Sequence, residues 1–100
     1  MMTPQRIRIP LSKLLSPKDS IDFRDRTGMS FDEMVQDIKS GKSIEPIEVS
    51  PVRDMYYIWN GVRRALAALK AGKSDIDAVV VLGAGKPMGT AYPLLRVRMP

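Results

Sequence analysis

Arg63 and Arg64 stand side by side directly behind Asn60-Gly61 in YYIWNGVRRALAALKAG, residues 56–72. Guanidiniums bind anions, above all phosphates and carboxylates, through charge-assisted hydrogen bonds. Val62, Ala65, Leu66 and Leu69 fall at i, i+3, i+4 and i+7, which predicts a helix with both arginines in its first turn. That turn carries unpaired backbone N–H groups and the positive end of the helix dipole. An exposed cation there costs about 0.3–1 kcal/mol, and a neighbouring like charge adds to the cost. A bound anion reverses both signs, because it accepts from the amides and the guanidiniums together. Asn60, Gly61, Val62, Arg63 and Arg64 are therefore candidate phosphate- or nucleotide-binding residues. In the competing reading the two arginines lie over the surface and pair with nearby carboxylates.

Other residues could carry different chemistry. Asp75 and Asp77 alternate at the entry to an apolar run, and Asp19, Asp22 and Asp25 recur in a polar stretch. Either set could hold Mg²⁺ for a hydrolytic reaction, or belong to a solvated surface. Gly83-Ala84-Gly85-Lys86-Pro87-Met88-Gly89-Thr90 resembles a phosphate loop, but proline follows Lys86 where the Walker pattern needs Ser or Thr. It reads as a loop that could bring Lys86 over the arginine turn. Trp59 could stack on a base, although its place before the turn favours a core or wall role. Arg96 and Arg98 could extend a basic strip or protect an exposed sheet edge. The chain contains neither cysteine nor histidine. Disulfides, thiol nucleophiles, Cys/His zinc sites and histidine-based triads are excluded.

Charge follows the same division. Residues 1–50 hold eight Lys/Arg and eight Asp/Glu, whereas residues 51–100 hold eight Lys/Arg and three Asp, so the whole net charge of +5 lies in the second half. A basic half fits an anionic partner, and it also serves solubility. No apolar run is long enough for a signal peptide or a membrane span. The chain reads as a soluble, cytoplasmic single domain over residues 1–100, with no membrane partner.

Positioning these side chains requires a set of short elements. Arg6-Ile7-Arg8-Ile9 alternates as a strand ended by Pro10, and Leu11 to Leu15 reads as one helical turn. Lys18 to Gly28 reads as a polar loop. Ser30-Phe31-Asp32-Glu33 has the form of a capping box, and Phe31, Met34, Val35 and Ile38 continue it into an amphipathic helix closed near Gly41. Pro46 to Val52 and Met55 to Trp59 pair as a hairpin around Arg53-Asp54. Asn60 is expected as the N-cap of the second helix, and Gly72 ends it. Ile76 to Leu82 reads as a buried strand. Residues 82–100 form a loop and then an alternating segment, Leu94 to Met99, expected as an edge strand. The fold class is α+β, a small mixed β-sheet with packed helices.

At this point the sequence resembles a known superfamily. Glu45-Pro46-Ile47-Glu48-Val49, Tyr57-Ile58-Trp59-Asn60-Gly61-Val62-Arg63-Arg64-Ala65-Leu66-Ala67-Ala68, and Gly72 with Ile76-Asp77-Ala78-Val79-Val80 follow one another as in ParB/sulfiredoxin-like domains. Asp37-Ile38-Lys39-Ser40-Gly41 matches an upstream segment of the same pattern loosely. The resemblance implies a ParB/sulfiredoxin-like fold and a nucleotide or nucleic acid partner at the Asn60–Arg64 turn. It adds Glu45, Pro46 and Ile47 as candidate ligand-contacting residues. ParB-type members read Gly-Glu-Arg-Arg in the turn and sulfiredoxins Gly-Cys-His-Arg; this chain has Val62 at the variable position. The phosphate-binding half is retained, while the acidic residue and the thiol are absent. The functions implied are a nucleotide- or nucleic-acid-binding domain, a metal-dependent ParB-like nuclease or nucleotide hydrolase using Mg²⁺, and a protein-interaction module. An effector of a bacterial conflict system is one form of the second. The resemblance leaves open whether the chain forms a homodimer or meets a protein partner, and the length suggests a free-standing module.

Overall fold

The computed structural model describes residues 6–20, 30–81 and 89–98. Six strands form one mixed sheet: β1 (Arg6–Pro10), β2 (Leu14–Ser16), β3 (Ile47–Val52), β4 (Met55–Asn60), β5 (Asp75–Val80) and β6 (Tyr92–Pro93), in the order β1-β5-β3-β4-β2-β6. Helices α1 (Phe31–Lys39) and α2 (Val62–Lys70) complete the α+β domain. The pairs β1/β5, β3/β4 and β2/β6 are antiparallel, whereas β3/β5 and β2/β4 are parallel.

The alternation of each strand decides which face meets the helices. Ile9, Leu14, Ile47, Val49, Ile58, Ile76 and Ala78 are buried on one face, in one cluster with Phe31, Val35 and Ile38 of α1 and Ala65 to Ala68 of α2. The opposite face presents Arg6, Arg8, Glu48, Ser50, Tyr57, Trp59, Asp75 and Asp77. Four consecutive buried residues in α2 exceed the stripe of an ordinary surface helix. Alanine at 65, 67 and 68 resolves this, since small side chains let α2 lie close to both the sheet and α1 while Leu66 fills the centre.

Helix ends follow their expected chemistry at three of four termini. Ser30 Oγ accepts from the Glu33 N–H at 3.2 Å, which is one half of the expected capping box. At the C-termini the Lys42 N–H reaches Asp37 O and the Lys73 N–H reaches Ala68 O, both at 3.0 Å. These bonds close the last turns with Gly41 and Gly72 next to them. The fourth terminus, the start of α2, differs and is described below.

Three boundaries depart from expectation. Leu11 to Leu15 divides into a 3-10 turn over Leu11–Lys13 and strand β2, because Leu14 is needed inward beside Tyr56 of β4. Ile76 to Leu82 becomes Asp75–Val80. Over Leu94 to Arg98, the described part of the expected edge strand, no strand forms beyond a single parallel bridge between Arg98 and Ser20. Its place is taken by the two-residue β6 and a 3-10 turn over Leu94–Arg96. Leu94 and Val97 are the buried pair of that segment, a spacing of three that belongs to the 3-10 geometry rather than to a strand. The segment is tied down by the Arg98 N–H donating to Asp19 O at 2.9 Å.

Candidate functional site

The site begins with an irregularity in the β3/β4 ladder. Val49 pairs with Ile58, but Glu48 pairs with Asn60, so Trp59 is an extra residue on β4. In an unbroken ladder Asn60 would share the inward face of Ile58; the bulge places it exposed, opposite Glu48. Asn60 is therefore the last strand residue, and the expectation that it caps α2 is corrected. The N-cap is Gly61, with φ 110° and ψ 23°, and no side chain caps the helix. That backbone angle disfavours any residue with a Cβ. Space excludes one as well: a Cβ on Gly61 would lie 2.5 Å from Ile47 Cγ2 and 2.9 Å from Ile47 Cβ. Ile47 thus shapes the turn from beneath.

The first turn of α2 holds no acidic residue and no side-chain cap. Its leading amides are free of intrahelical partners, as at every helix start. The two arginines of this turn have different surroundings. Arg64 Nη1 donates to the carbonyl oxygens of Glu45 at 2.9 Å and Pro46 at 2.7 Å. The Glu45 carboxylate lies 3.8 Å away, and only 15% of the Arg64 side chain is exposed. Arg64 ties the segment entering β3 to the helix start, and Glu45 and Pro46 meet it through their main chain.

Arg63 has no such partners. Its Nε and Nη2 atoms are buried and make no hydrogen bond among the described residues. Buried N–H groups of a charged side chain are costly when unsatisfied, about 1–3 kcal/mol and more for an ion. The turn therefore combines uncapped amides, a positive dipole end and an unspent guanidinium, an arrangement suited to receiving an oxyanion.

The other candidate residues separate from this turn. Asp75 and Asp77 are engaged by arginine: Arg8 Nε meets Asp75 at 2.7 Å, Arg8 Nη1 meets Asp77 at 2.9 Å, and Arg6 Nη2 meets Asp77 at 3.4 Å. The hydrogen bond from Arg8 holds the Asp77 carboxyl below the usual carboxylate range, and Asp77 in turn raises Arg8. The alternation of Arg6 and Arg8 along β1, facing a second alternating pair, was the sequence signal for this zipper. Among the described residues no three acidic, histidine or cysteine side chains are grouped to hold a metal ion. Trp59 is 39% exposed, so it is a wall residue rather than a core one. Its Nε1 donates to Ser50 Oγ at 2.6 Å, and its ring stands edge-on to Tyr57 with centroids 4.8 Å apart. Ser50 as its partner had no signal in the sequence, since register across the hairpin sets it. Arg96 and Arg98 are exposed on the final segment. Asp22, Asp25 and Lys86 lie outside the described residues.

Comparison with known proteins fits this geometry. Residues 5–88 match the family model of the ParB N-terminal domain. The chain therefore belongs to that family. No curated protein matches it in sequence. Among solved structures, it is similar to a C-terminally truncated chromosome-partitioning protein ParB from Caulobacter crescentus complexed with CTP-gamma-S, at 26% identity and a TM-score of 0.59. That match covers 77% of this chain and 44% of the ParB chain, so this chain corresponds to less than half of that relative. The same ParB complexed to the centromeric parS site matches at 29% identity and a TM-score of 0.50, over 75% of this chain and 38% of that one. Sulfiredoxin from Arabidopsis thaliana matches at 27% identity and a TM-score of 0.61, over 80% of this chain and 88% of that one. The likeness to sulfiredoxin does not extend to thiol chemistry, for which this chain has no cysteine. No helix among the described residues is long and apolar enough to cross a membrane.

Proposed function

We propose that this domain binds a nucleotide through its phosphates at the first turn of α2. The phosphate would accept from the amides following Gly61 and from the Arg63 guanidinium, while Arg64 and Ile47 hold the turn in shape. The observation that carries this reading is the buried, unpartnered Nε and Nη2 of Arg63 at an uncapped helix start. The ParB relative complexed with CTP-gamma-S supports a nucleoside triphosphate as the ligand class. Val62 stands where a carboxylate or thiol would be needed to act on a bound phosphate, so the proposal is binding without an assigned reaction. Any Mg²⁺ would arrive with the phosphates, because Asp75 and Asp77 are already engaged by Arg8 and Arg6.

Nucleic acid is the second reading, favoured by the basic second half of the chain and by the ParB relative bound to parS. Calorimetry with CTP, ATP, tripolyphosphate and a short DNA duplex, each with and without Mg²⁺, separates the two. Saturable one-to-one binding of a triphosphate, weakened about tenfold to a hundredfold in Arg63→Ala, supports the proposal. Binding only to DNA, weakening steeply with salt, would favour the second reading. No binding of any phosphate compound at low salt would overturn both.

A further inference from the structure

A cavity of about 260 Å³ opens at the other end of α2, where the segment after α1, the end of α2 and the start of β5 meet. Its floor is apolar and continuous with the core, formed by Ile38, Ala68 and Ile76, which are 6%, 2% and 4% exposed. Its rim is charged. Arg8, Asp75 and Asp77 line one side, where the two carboxylates are balanced by Arg8 at 2.7 Å and 2.9 Å together with Arg6 at 3.4 Å. At the two helix ends nearby, Asp37 O and Ala68 O accept from the Lys42 and Lys73 amides, and Gln36, Ile38, Ala67 and Leu69 O accept from the amides just before them. What remains unspent is cationic. Lys73 has no ion pair among the described residues, and Lys42 has one long contact to Asp37 at 3.5 Å with 70% of its side chain exposed.

We infer that this cavity is a second binding site, distinct from the first turn of α2, for a small organic anion with an apolar body. The body would cover the Ile38, Ala68 and Ile76 floor, and a carboxylate would lie between the ammonium groups of Lys42 and Lys73. An apolar-floored cleft with a few convergent polar groups is the usual form of a small-molecule site. A cation is disfavoured, since the two carboxylates of the rim are held by Arg8 and Arg6. A large ligand is disfavoured by volume.

Benzoate tests the inference, with benzyl alcohol as its neutral counterpart. In amide-resolved NMR titration of the full chain, benzoate is expected to shift the amides of Gly41 to Ile44 and Lys73 to Ile76 saturably. Lys42→Gln/Lys73→Gln, which alters two exposed side chains, is expected to weaken binding about tenfold, a change of about 1.4 kcal/mol. Benzyl alcohol is expected to bind about as weakly to the unaltered chain as benzoate does to that variant. The inference is overturned by the absence of saturable shifts, by equal binding of benzyl alcohol and benzoate, by an unaffected double variant, or by shifts confined to the first turn of α2. Nucleotide binding at Arg63 is measured separately, by the calorimetry with CTP.

Discussion

Substituting the two adjacent arginines one at a time gives opposite expectations for stability, and the structure supplies the sizes. Arg63→Ala removes two buried guanidinium nitrogens that lack partners. Relief of their desolvation, at about 1–3 kcal/mol per unsatisfied group, opposes the loss of two packed methylenes at about 0.8 kcal/mol each. The variant should be as stable as the parent or more stable, by up to about 4 kcal/mol. Arg64→Ala deletes charge-assisted bonds to the carbonyls of Glu45 and Pro46. At about 1.5–3 kcal/mol for a bond to a charged group, with the shared Nη1 donor limiting additivity, it should lose about 2–4 kcal/mol. Urea unfolding of the three proteins reads these numbers directly. Calorimetry on the same samples with CTP completes the test: Arg63→Ala should lose one charge-assisted interaction, about tenfold to a hundredfold in affinity, while remaining fully folded. If Arg63→Ala is the less stable variant, or folds normally and binds CTP as the parent does, the division of roles between the two arginines is wrong.

Three further measurements follow from the same contacts. Gly61→Ala forces a Cβ into Ile47 at a φ of 110°, and denaturant unfolding should show a loss of about 2–4 kcal/mol, partly relieved when combined with Ile47→Val. Leu94→Ala should cost about 2–5 kcal/mol in the same assay, since Leu94 is 1% exposed although it lies beyond the residues matched by the family model. The Arg8–Asp77 pair lowers the Asp77 pKa from 3.8, so its contribution is complete above that value and disappears as pH falls through the lower folded value. Asp77→Asn should therefore cost only a fraction of a kcal/mol at neutral pH, this being an exposed pair, and the difference from the parent should vanish in acid unfolding curves.

Patterns of burial were legible in the sequence wherever one face of an element meets the core. The i, i+3, i+4, i+7 apolar set of α1, the alternation of β1 and β3, and the Ala/Leu run of α2 each specify an inward face, and the sheet assembled from them is the α+β fold expected. What could not be read depends on register and on tertiary partners. Asn-Gly before a helical pattern signals a helix start, but the β4 bulge, which depends on how β3 pairs with β4, turns Asn60 outward and leaves Gly61 as the cap. Alternation over Leu94 to Met99 looked like a strand because leucine, valine and methionine recur there; only the packing of Leu94 and Val97 against the core selects the 3-10 turn. Arg63 and Arg64 were identical as letters. Their difference arises from the path of residues 45–46 past the helix, a feature of tertiary structure alone.

That difference bears on what Val62 means. If the whole turn were built only to hold β3 against α2, Arg64 would suffice: it satisfies two carbonyls and is itself largely buried. A second arginine adjacent to it raises the repulsion in the turn and, with no acid in the first turn to offset the dipole, lowers the stability of α2. A hydrophobic or acidic residue at 63 would be the better choice for folding. On the proposed reading the cost of Arg63 is offset when an anion is bound, so the ligand would stabilise the fold as it docks. Thermal unfolding with and without CTP separates the accounts. At a ligand concentration a hundredfold above the dissociation constant the gain should be about 2.7 kcal/mol. For a chain of this size, that raises Tm by about 10–20 °C. The gain should shrink in Arg63→Ala at equal CTP, and should persist in Val62→Ala, whose side chain offers no group to the phosphate. A Tm that CTP leaves unmoved in the parent, at concentrations where calorimetry shows saturation, would mean the ligand sits elsewhere or binds the unfolded chain equally well.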